Sequence, residues 1–177
     1  ELLMLKERLR VAKRGHELLQ EKRDALIMEF FALIHRMQVV RKRVMVALEG
    51  AYSAFREALA YVGPRRVEEI SYGMKESLRL RCSLKNLMGV RVASLKIEEV
   101  RPYYLDTPYV SAKLDEDIGK IRKAVKEIVK LAETFDSVRK MAMAVMATKR
   151  RVNSLEYYII PKLEETIRWI ELCLEER

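Results

Sequence analysis

Apolar residues recur at alternating spacings of three and four through the first sixty positions of the chain. One series repeats every seven residues from Leu2 to Ala58, and an interleaved series runs from Leu5 to Tyr61. Only His16 and Arg23 interrupt the two series with polar side chains. This heptad pattern is typical of a helix that packs in a left-handed coiled coil. It predicts one long helix over residues 1–62, which Gly63 and Pro64 end.

A second apolar seam runs through the last third of the chain. We expect its helix to begin near Ser111, a good N-cap residue, and to continue over residues 111–177. The predicted seam positions of this helix are Leu114, Ile118, Ile121, Val125, Ile128, Ala132, Phe135, Val138, Ala142, Val145, Val152, Leu155, Ile159, Leu163, Ile167, Ile170 and Leu174. Two helices of matching length predict an antiparallel hairpin in which residue i faces roughly residue 175 − i.

The second seam changes its rhythm near Pro161, where apolar residues follow one another at steps of four. A proline inside a helix removes one backbone hydrogen bond and kinks the helix. Because the helical pattern continues on both sides, we predict a helix that is kinked near Pro161. In the alternative interpretation the helix ends at Pro161 and the tail is separate.

The middle segment, residues 63–110, changes to a period of two. Apolar and polar residues alternate from Leu78 to Lys85, and the alternation resumes at Val90 and Val92. This pattern predicts a β-hairpin over about residues 78–97, with a bulge near Ala93. We expect residues 65–75 and 101–110 to be connecting loops.

The fold class that follows is mainly α. We predict one elongated domain, a long antiparallel two-helix left-handed coiled coil with a short β-hairpin in the middle segment. A composition with 34% charged residues, six Gly and four Pro agrees with long helices and little loop. Because the chain begins at Glu1 and not at Met, we expect its native start to lie further upstream.

The net charge of +9 permits an acidic protein, anionic lipid or nucleic acid as a partner. The basic trios at residues 41–43 and 149–151 fan around a helix and form no single stripe, so solvated helix faces explain most of them. No apolar run is long enough to span a bilayer. We therefore expect no nucleic-acid partner and no direct membrane insertion. Cys82 and Cys173 are expected at different ends of the rod, unbridged, in a reducing cytosolic compartment.

The chain shows no catalytic constellation. His16 and His35 have no metal-ligand partners at a supporting spacing, and no glycine-rich phosphate loop is present. His16 occupies a seam position, where a polar residue that sets the coiled-coil register is the ordinary interpretation. We expect no catalytic residues, no metal and no cofactor.

The apolar stripe of the first helix widens after about residue 25. The position beside the seam is polar up to Gln20 and then becomes apolar, with Arg41 as the exception. The widened positions are Ile27, Ile34, Leu48, Phe55 and Val62. A wider stripe needs a third element to cover it, either the folded-back middle segment or a second protein. Gly15 and Gly50 cost about 1 kcal/mol each in a helix interior, which close approach of another chain would justify and simple toleration would also explain.

Three segments together resemble a known family. The run Leu9–Leu26, with Gly15 and His16, resembles the N-terminal helix of the D subunit, the central rotor shaft of archaeal A-type and vacuolar V-type rotary ATPases. The run Thr148–Ile170 resembles the C-terminal helix of that family, and Asn86–Val92 resembles its central hairpin. Two departures are Ala93-Ser94 where a proline is expected, and the absence of the charged family tail after Arg177.

The resemblance implies a non-catalytic shaft that rotates inside the hexamer of catalytic A and nucleotide-binding B subunits. It also implies a small partner, the F subunit, and a connector, the C or d subunit, above the membrane ring. One monomeric hairpin would enter each complex, peripherally, at the cytoplasmic face of the cell membrane.

Particular residues are expected to make these contacts. The expected contacts to the hexamer are Leu2, Leu3, Met4, Gly15, Lys149, Arg150, Arg151, Leu172 and Leu174. The expected contacts to the small F subunit are Ile34, Leu48, Ala54, Phe55 and Val62. The expected hairpin residues are Asn86, Met88, Gly89, Val90 and Val92.

Two alternatives stay open at this point. The equivalent shaft of the F-type synthase would need a substantial α/β domain between its helices, and roughly fifty residues cannot supply one. A general coiled-coil scaffold or tether, which would form a stable homodimer through the same seams, is the alternative from a different class.

Overall fold

A computed structural model describes residues 1–73, 78–99 and 112–176. The elements in chain order are helix α1 (Leu2–Val62), helix α2 (Pro64–Gly73), strand β1 (Leu78–Leu87), strand β2 (Val90–Glu99), helix α3 (Ala112–Ser154), a π-helical turn (Leu155–Ile159) and helix α4 (Ile160–Glu175). Two compact units divide these elements, one formed by Glu1–Ala32 with Arg139–Arg177 and the other by Leu33–Val138. The mainly helical fold with a central hairpin is confirmed.

In the first unit the beginning of α1 lies antiparallel to α4. Lys6 Nζ is 2.6 Å from Glu171 Oε1, and Lys13 Nζ is 2.8 Å from Glu164 Oε1. Both ion pairs agree with the register expected from the seams. The ion pair with Lys13 lowers the pKa of Glu164 through the hydrogen bond and the attraction between the charges. The Lys13–Glu164 ion pair therefore stabilises the fold fully above the ordinary pKa of a glutamate. This stabilisation is lost as pH falls through the lowered pKa of Glu164.

In the second unit the end of α1 lies antiparallel to the start of α3. Lys113 Nζ is 3.4 Å from Glu57 Oε2, and Tyr61 donates a hydrogen bond to Asp117. The seam of α1 is buried here as expected. Its buried members are Leu33, Val40, Val44, Ala51, Ala54 and Ala58.

The predicted seam of α3 is wrong by one residue in the middle of the helix. Phe135 is 60% exposed and Ile128 is 41% exposed, whereas Thr134 and Ser137, each directly before an expected seam position, are buried, as is Thr148 between the expected Val145 and Val152. Each of these hydroxyls donates to the carbonyl four residues earlier, at 2.8, 2.9 and 2.9 Å respectively. A hydroxyl paired with its own helix packs almost as an apolar group, so a seam position tolerates it.

The expected loop after the first helix is also wrong, because Pro64–Gly73 is helical. Gly63 has a φ of 87° and ends α1, while the fixed φ of proline suits the first position of a new helix. Val67 and Ile70 of α2 pack against the buried cluster of Ala58, Leu114 and Ile118. The folded-back middle segment thus packs against the end of the seam, on the same cluster as Val62. The expected loop at 101–110 and the expected N-cap Ser111 lie outside the described residues.

The central hairpin is antiparallel, with Leu78 opposite Glu99 and Leu87 opposite Val90. Met88 and Gly89 form the turn with φ values of 51° and 85°, the left-handed conformation that a tight two-residue hairpin requires. Pairing continues without interruption through Leu84 opposite Ala93. The bulge expected near Ala93 is therefore wrong. Leu95 and Ile97 are out of phase with Val90 and Val92 because they lie on the opposite face of the strand.

The helix continues past Pro161, so the alternative of a terminus there is wrong. Before the proline, Ile160 N–H donates to the carbonyl of Leu155, five residues earlier. Proline cannot donate to the residue four positions before it, and a π turn absorbs this missing bond. Helix α4 then runs to Glu175.

Candidate partner-binding surfaces

The hairpin is fixed to α3 through the outer edge of β2. The backbone N–H of Ala93 donates to Asp136 Oδ2 at 2.9 Å, and that of Leu95 donates to Glu133 Oε2 at 3.3 Å. These N–H groups point away from β1 and would otherwise be unpaired edge donors. Two carboxylates one turn apart on a helix therefore replace a third strand.

The expected hairpin residues divide into two groups. Asn86, Met88 and Gly89 are exposed, whereas Val90 is half-buried and Val92 is only 3% exposed. Val92 therefore anchors the hairpin. Besides Met88 in the turn, Leu80 and Leu84 on β1 are exposed apolar side chains of the hairpin, at 59% and 68%.

A partly exposed apolar stripe follows α1 beside its seam in the second unit. Phe55 is 44% exposed, and Leu48 and Ile34 are half-buried. Met45 and Tyr52, at 55% and 66%, continue the stripe at helical spacing from Leu48. Sequence reasoning missed both, although their spacing of three and four from Leu48 was the available signal.

Two residues expected in this surface are placed elsewhere. Ala54 is 1% exposed in the seam, so it is not available for contact with a partner. Val62 is half-buried and packs against the cluster of Ala58, Leu114 and Ile118. Both residues therefore contribute to packing within the unit.

The termini of the first unit carry several exposed apolar side chains. Leu3 and Met4 are 82% and 62% exposed, and Leu172 and Leu174 are 59% and 58% exposed. Trp169, at 66%, is a further exposed side chain that sequence reasoning missed. Leu2 is half-buried in the seam. Exposed apolar residues at this density are typical of a surface that another protein covers.

The other residues expected to contact a partner in this unit lie further along the helices. Lys149, Arg150 and Arg151 are exposed on α3. A Cβ built at Gly15 would meet no atom within 4 Å. No contact among the described residues therefore requires glycine at position 15.

A groove of about 680 Å³ lies between α1 and the π turn with α4. Its apolar lining includes Met4, Val11, Tyr158 and Leu163. The side chain of Tyr158 also packs beneath Lys162, whose Nζ lies 5.5 Å from the ring centre. The groove adds apolar surface to the exposed terminal region of the same unit.

A polar contact joins the two helices of the second unit. Tyr61 donates to Asp117 Oδ2 at 2.9 Å, and Lys120 Nζ is 3.3 Å from Asp117 Oδ1. Partial burial and the hydrogen bond to Asp117 raise the pKa of Tyr61 to about 12. Hydrogen bonds to Glu116 and Asp117 raise the pKa of Lys120. The side chain of Asp117 is 2% exposed and is paired on both oxygens, as a buried charge requires.

Within the described part of the chain, no group of three or more His, Cys, Asp or Glu side chains is placed to hold a metal ion. Among the described helices, none has an apolar stretch of the length needed to cross a bilayer. What the geometry offers is extended helical surface for protein contacts.

Paired long helices, a small hairpin anchored on one of them and exposed apolar surface define a mainly helical protein built to contact other proteins. The family model for the D subunit of ATP synthase matches residues 1–177. The chain therefore belongs to the ATP synthase D subunit family, which agrees with the expectation of a non-catalytic component.

Individual relatives give the same result. The chain is 38% identical to the A-type ATP synthase D subunit of Pyrococcus abyssi, over 99% of this chain and 84% of the relative. It is 39% identical to the A-type ATP synthase D subunit of Methanopyrus kandleri, over 100% of this chain and 78% of the relative. It is also 39% identical to the A-type ATP synthase D subunit of Methanosphaera stadtmanae, over 99% of this chain and 84% of the relative.

Proposed function

We propose that this chain is the central rotor shaft of an A-type ATP synthase, turning inside the hexamer of A and B subunits. Membership of the ATP synthase D subunit family along the whole chain is the observation that carries the proposal. The exposed apolar residues near both termini support it, since Leu3, Met4 and Leu172 would be covered inside such a hexamer. Rotation of an asymmetric shaft would couple ion flow through the membrane ring to ATP synthesis or hydrolysis.

The expected contacts of the shaft with the hexamer follow from this proposal. They are Leu2, Leu3, Met4, Gly15, Lys149, Arg150, Arg151, Leu172 and Leu174, to which we add Trp169. The basic trio of α3 is exposed and would meet acidic or backbone acceptor groups of the ring. The complex would sit peripherally at the cytoplasmic face of the membrane, with the C or d subunit as the connector.

Co-expression with the A and B subunits tests the shaft role. We expect one copy of the chain per hexamer, measured by native mass spectrometry. Isolated chain should be monomeric in light scattering, because its seams pair within the chain. A stable homodimer that does not bind the hexamer would instead establish the alternative of a general coiled-coil scaffold or tether.

The stripe on α1 is our proposed site for the small F subunit. Leu48, Tyr52 and Phe55 would be its centre, with Met45 and Ile34 continuing it. Charging the exposed ring with Phe55→Glu should reduce co-purification of the F subunit at least about tenfold, because a charge would be buried against apolar surface. Val39→Glu is the matched control, since Val39 of α1 is exposed to a similar fraction, 40%, but directly precedes the seam residue Val40 and so lies on the other flank of the seam.

Circular dichroism should show unchanged helicity in both variants. Undiminished recovery of the F subunit with Phe55→Glu, or equal loss with Val39→Glu, would exclude the stripe as its site.

A further inference from the structure

A second groove of the Leu33–Val138 unit lies between α1 and α3, on the other flank of the seam. Arg43 and Gly50 line it, and each directly precedes a seam residue. Leu48 and Phe55 of the stripe each directly follow one. In a heptad, the positions before and after the seam point to opposite flanks. The groove is therefore a surface distinct from the proposed site for the F subunit.

The groove combines an apolar floor with a basic rim. Its volume is about 510 Å³, and both apolar and basic residues line it. We call the apolar lining residues Val46, Ala47 and Gly50 the floor, and the basic lining residues Lys42, Arg43 and Lys123 the rim. Val46 is 69% exposed. An exposed valine surrounded by cations is suited to a ligand with both an apolar and an acidic side.

The rim carries positive charge that the described residues do not neutralise. Within the described ranges, Lys42, Arg43 and Lys123 take part in no ion pair or hydrogen bond. The other two charged lining residues are already paired, since Lys120 contacts Glu116 and Asp117 while Glu127 contacts Lys130. The groove thus offers three cations to an incoming ligand.

Gly50 opens the floor at a cost to the helix. Glycine inside a helix costs about 1 kcal/mol relative to alanine. A Cβ at position 50 would meet no atom within 4 Å, so packing among the described residues does not require glycine. Its effect is to leave space at the floor of the groove.

The groove is also long. An adjoining groove of about 400 Å³ shares Arg43 and Glu127 with it and extends to Leu33. From residue 33 to residue 50, α1 rises about 25 Å. That length matches a helix of about 17 residues that lies along α1 and α3.

We propose that this groove binds an acidic amphipathic helix of a partner protein. The apolar side of that helix would lie on Val46 and Gly50, and its carboxylates would pair with Lys42, Arg43 and Lys123. Recognition of an amphipathic helix by a groove is a recurrent binding mode. A nucleic acid would use the cations but not the apolar floor. The proposal does not rest on the rotor role, because each observation comes from the groove itself.

The test measures binding of a designed peptide to the full chain by fluorescence anisotropy. The probe is a fluorescein-labelled helical peptide of about 18 residues, with leucines on one face and glutamates on the others. We expect binding that weakens with salt, and at least about tenfold weaker binding to the double variant Lys42→Glu/Lys123→Glu. Gly50→Leu should weaken binding as much without changing charge, because leucine fills the floor.

The matched control is Lys22→Glu/Arg56→Glu, which changes net charge equally at exposed positions outside the groove. It should retain binding to within about twofold, apart from the general charge effect. Equal loss in this control, full binding to either groove variant, or equal binding of a peptide with lysines in place of glutamates would overturn the proposal. Stronger binding of a DNA duplex or of anionic vesicles, lost in the same variants, would overturn it in favour of that ligand.

Discussion

Tyr61 and Asp117 form a polar contact inside an interface made mostly of apolar side chains. Asp117 is 2% exposed and accepts from both the Tyr61 hydroxyl and Lys120. An unpaired buried carboxylate is costly, so any shift of one helix along the other would leave Asp117 without its partners. This contact therefore favours one pairing of α1 with α3 at a position where alanines provide little shape specificity.

Removing the Tyr61 hydroxyl should lower the free energy of unfolding. Tyr61→Phe leaves Asp117 with Lys120 alone, and the loss of one hydrogen bond to a buried charge should cost about 1.5–3 kcal/mol. Denaturation in urea measures the change. Tyr52→Phe is the control, since Tyr52 is 66% exposed, and its effect should stay below about 0.5 kcal/mol. Equal effects of the two substitutions would contradict the role of Asp117.

The same contact predicts a dependence on alkaline pH. The pKa of Tyr61 is raised to about 12 from the ordinary 10.0 by partial burial and by the bond to Asp117. The folded state thus holds the Tyr61 proton more tightly than the unfolded state does. The resulting contribution to the free energy of unfolding is fully present below pH 10 and is lost as pH rises toward about 12. The stability difference between wild type and Tyr61→Phe should shrink over that range. An unchanged difference between pH 9 and pH 12 would show that the hydroxyl is not held in this way.

Among the elements, the helices and the hairpin could be predicted from periodicity because their patterns are local. The end of α1 at Gly63 could also be predicted, because Gly63 and Pro64 are a local signal for a helix end. The phase of the α3 seam near residues 134–138 could not be predicted, because Thr134 and Ser137 become suitable for burial only through bonds to their own helix. A pattern of apolar residues alone does not contain that information.

The anchoring of the hairpin was equally hidden from the sequence. Glu133 and Asp136 look like ordinary charged residues of a helix surface, and only the packed structure places them beside Ala93 and Leu95. Likewise, Val62 has the spacing of the partner surface but packs against the cluster of Ala58, Leu114 and Ile118. Long-range contacts decided these positions, whereas sequence periodicity reports only local ones.

Replacing Asp136 should loosen the hairpin without unfolding the helices. Asp136→Ala leaves the Ala93 N–H without its acceptor, at a cost of about 1–3 kcal/mol. Hydrogen exchange of the Ala93 amide should become faster by at least about tenfold, while amides in the middle of α1 keep their protection. Asp115→Ala, an exposed carboxylate on the same helix, should leave the hairpin unchanged. Unaltered exchange at Ala93 in Asp136→Ala would mean that water replaces the carboxylate at no cost.

For the whole molecule, Gly15 is a position where the stability of the isolated chain and its assembly with other subunits should respond differently to substitution. Gly15 lies inside α1, and a Cβ there would meet no atom within 4 Å. Gly15→Ala should therefore stabilise the isolated chain by about 0.5–1 kcal/mol, through helix propensity alone. If the hexamer of A and B subunits approaches α1 closely at this position, the added methyl group should reduce incorporation of the chain.

Gly119→Ala provides the matched comparison. Gly119 is also helical and also faces open space, but it is not among the expected hexamer contacts. Both variants should gain stability in urea denaturation, and only Gly15→Ala should lose incorporation, measured by competition with wild type during co-expression. Full incorporation of Gly15→Ala would show that this glycine is merely tolerated. Equal losses for both variants would instead mean that assembly requires flexibility of the helices, so that increased helix stability alone disfavours the complex.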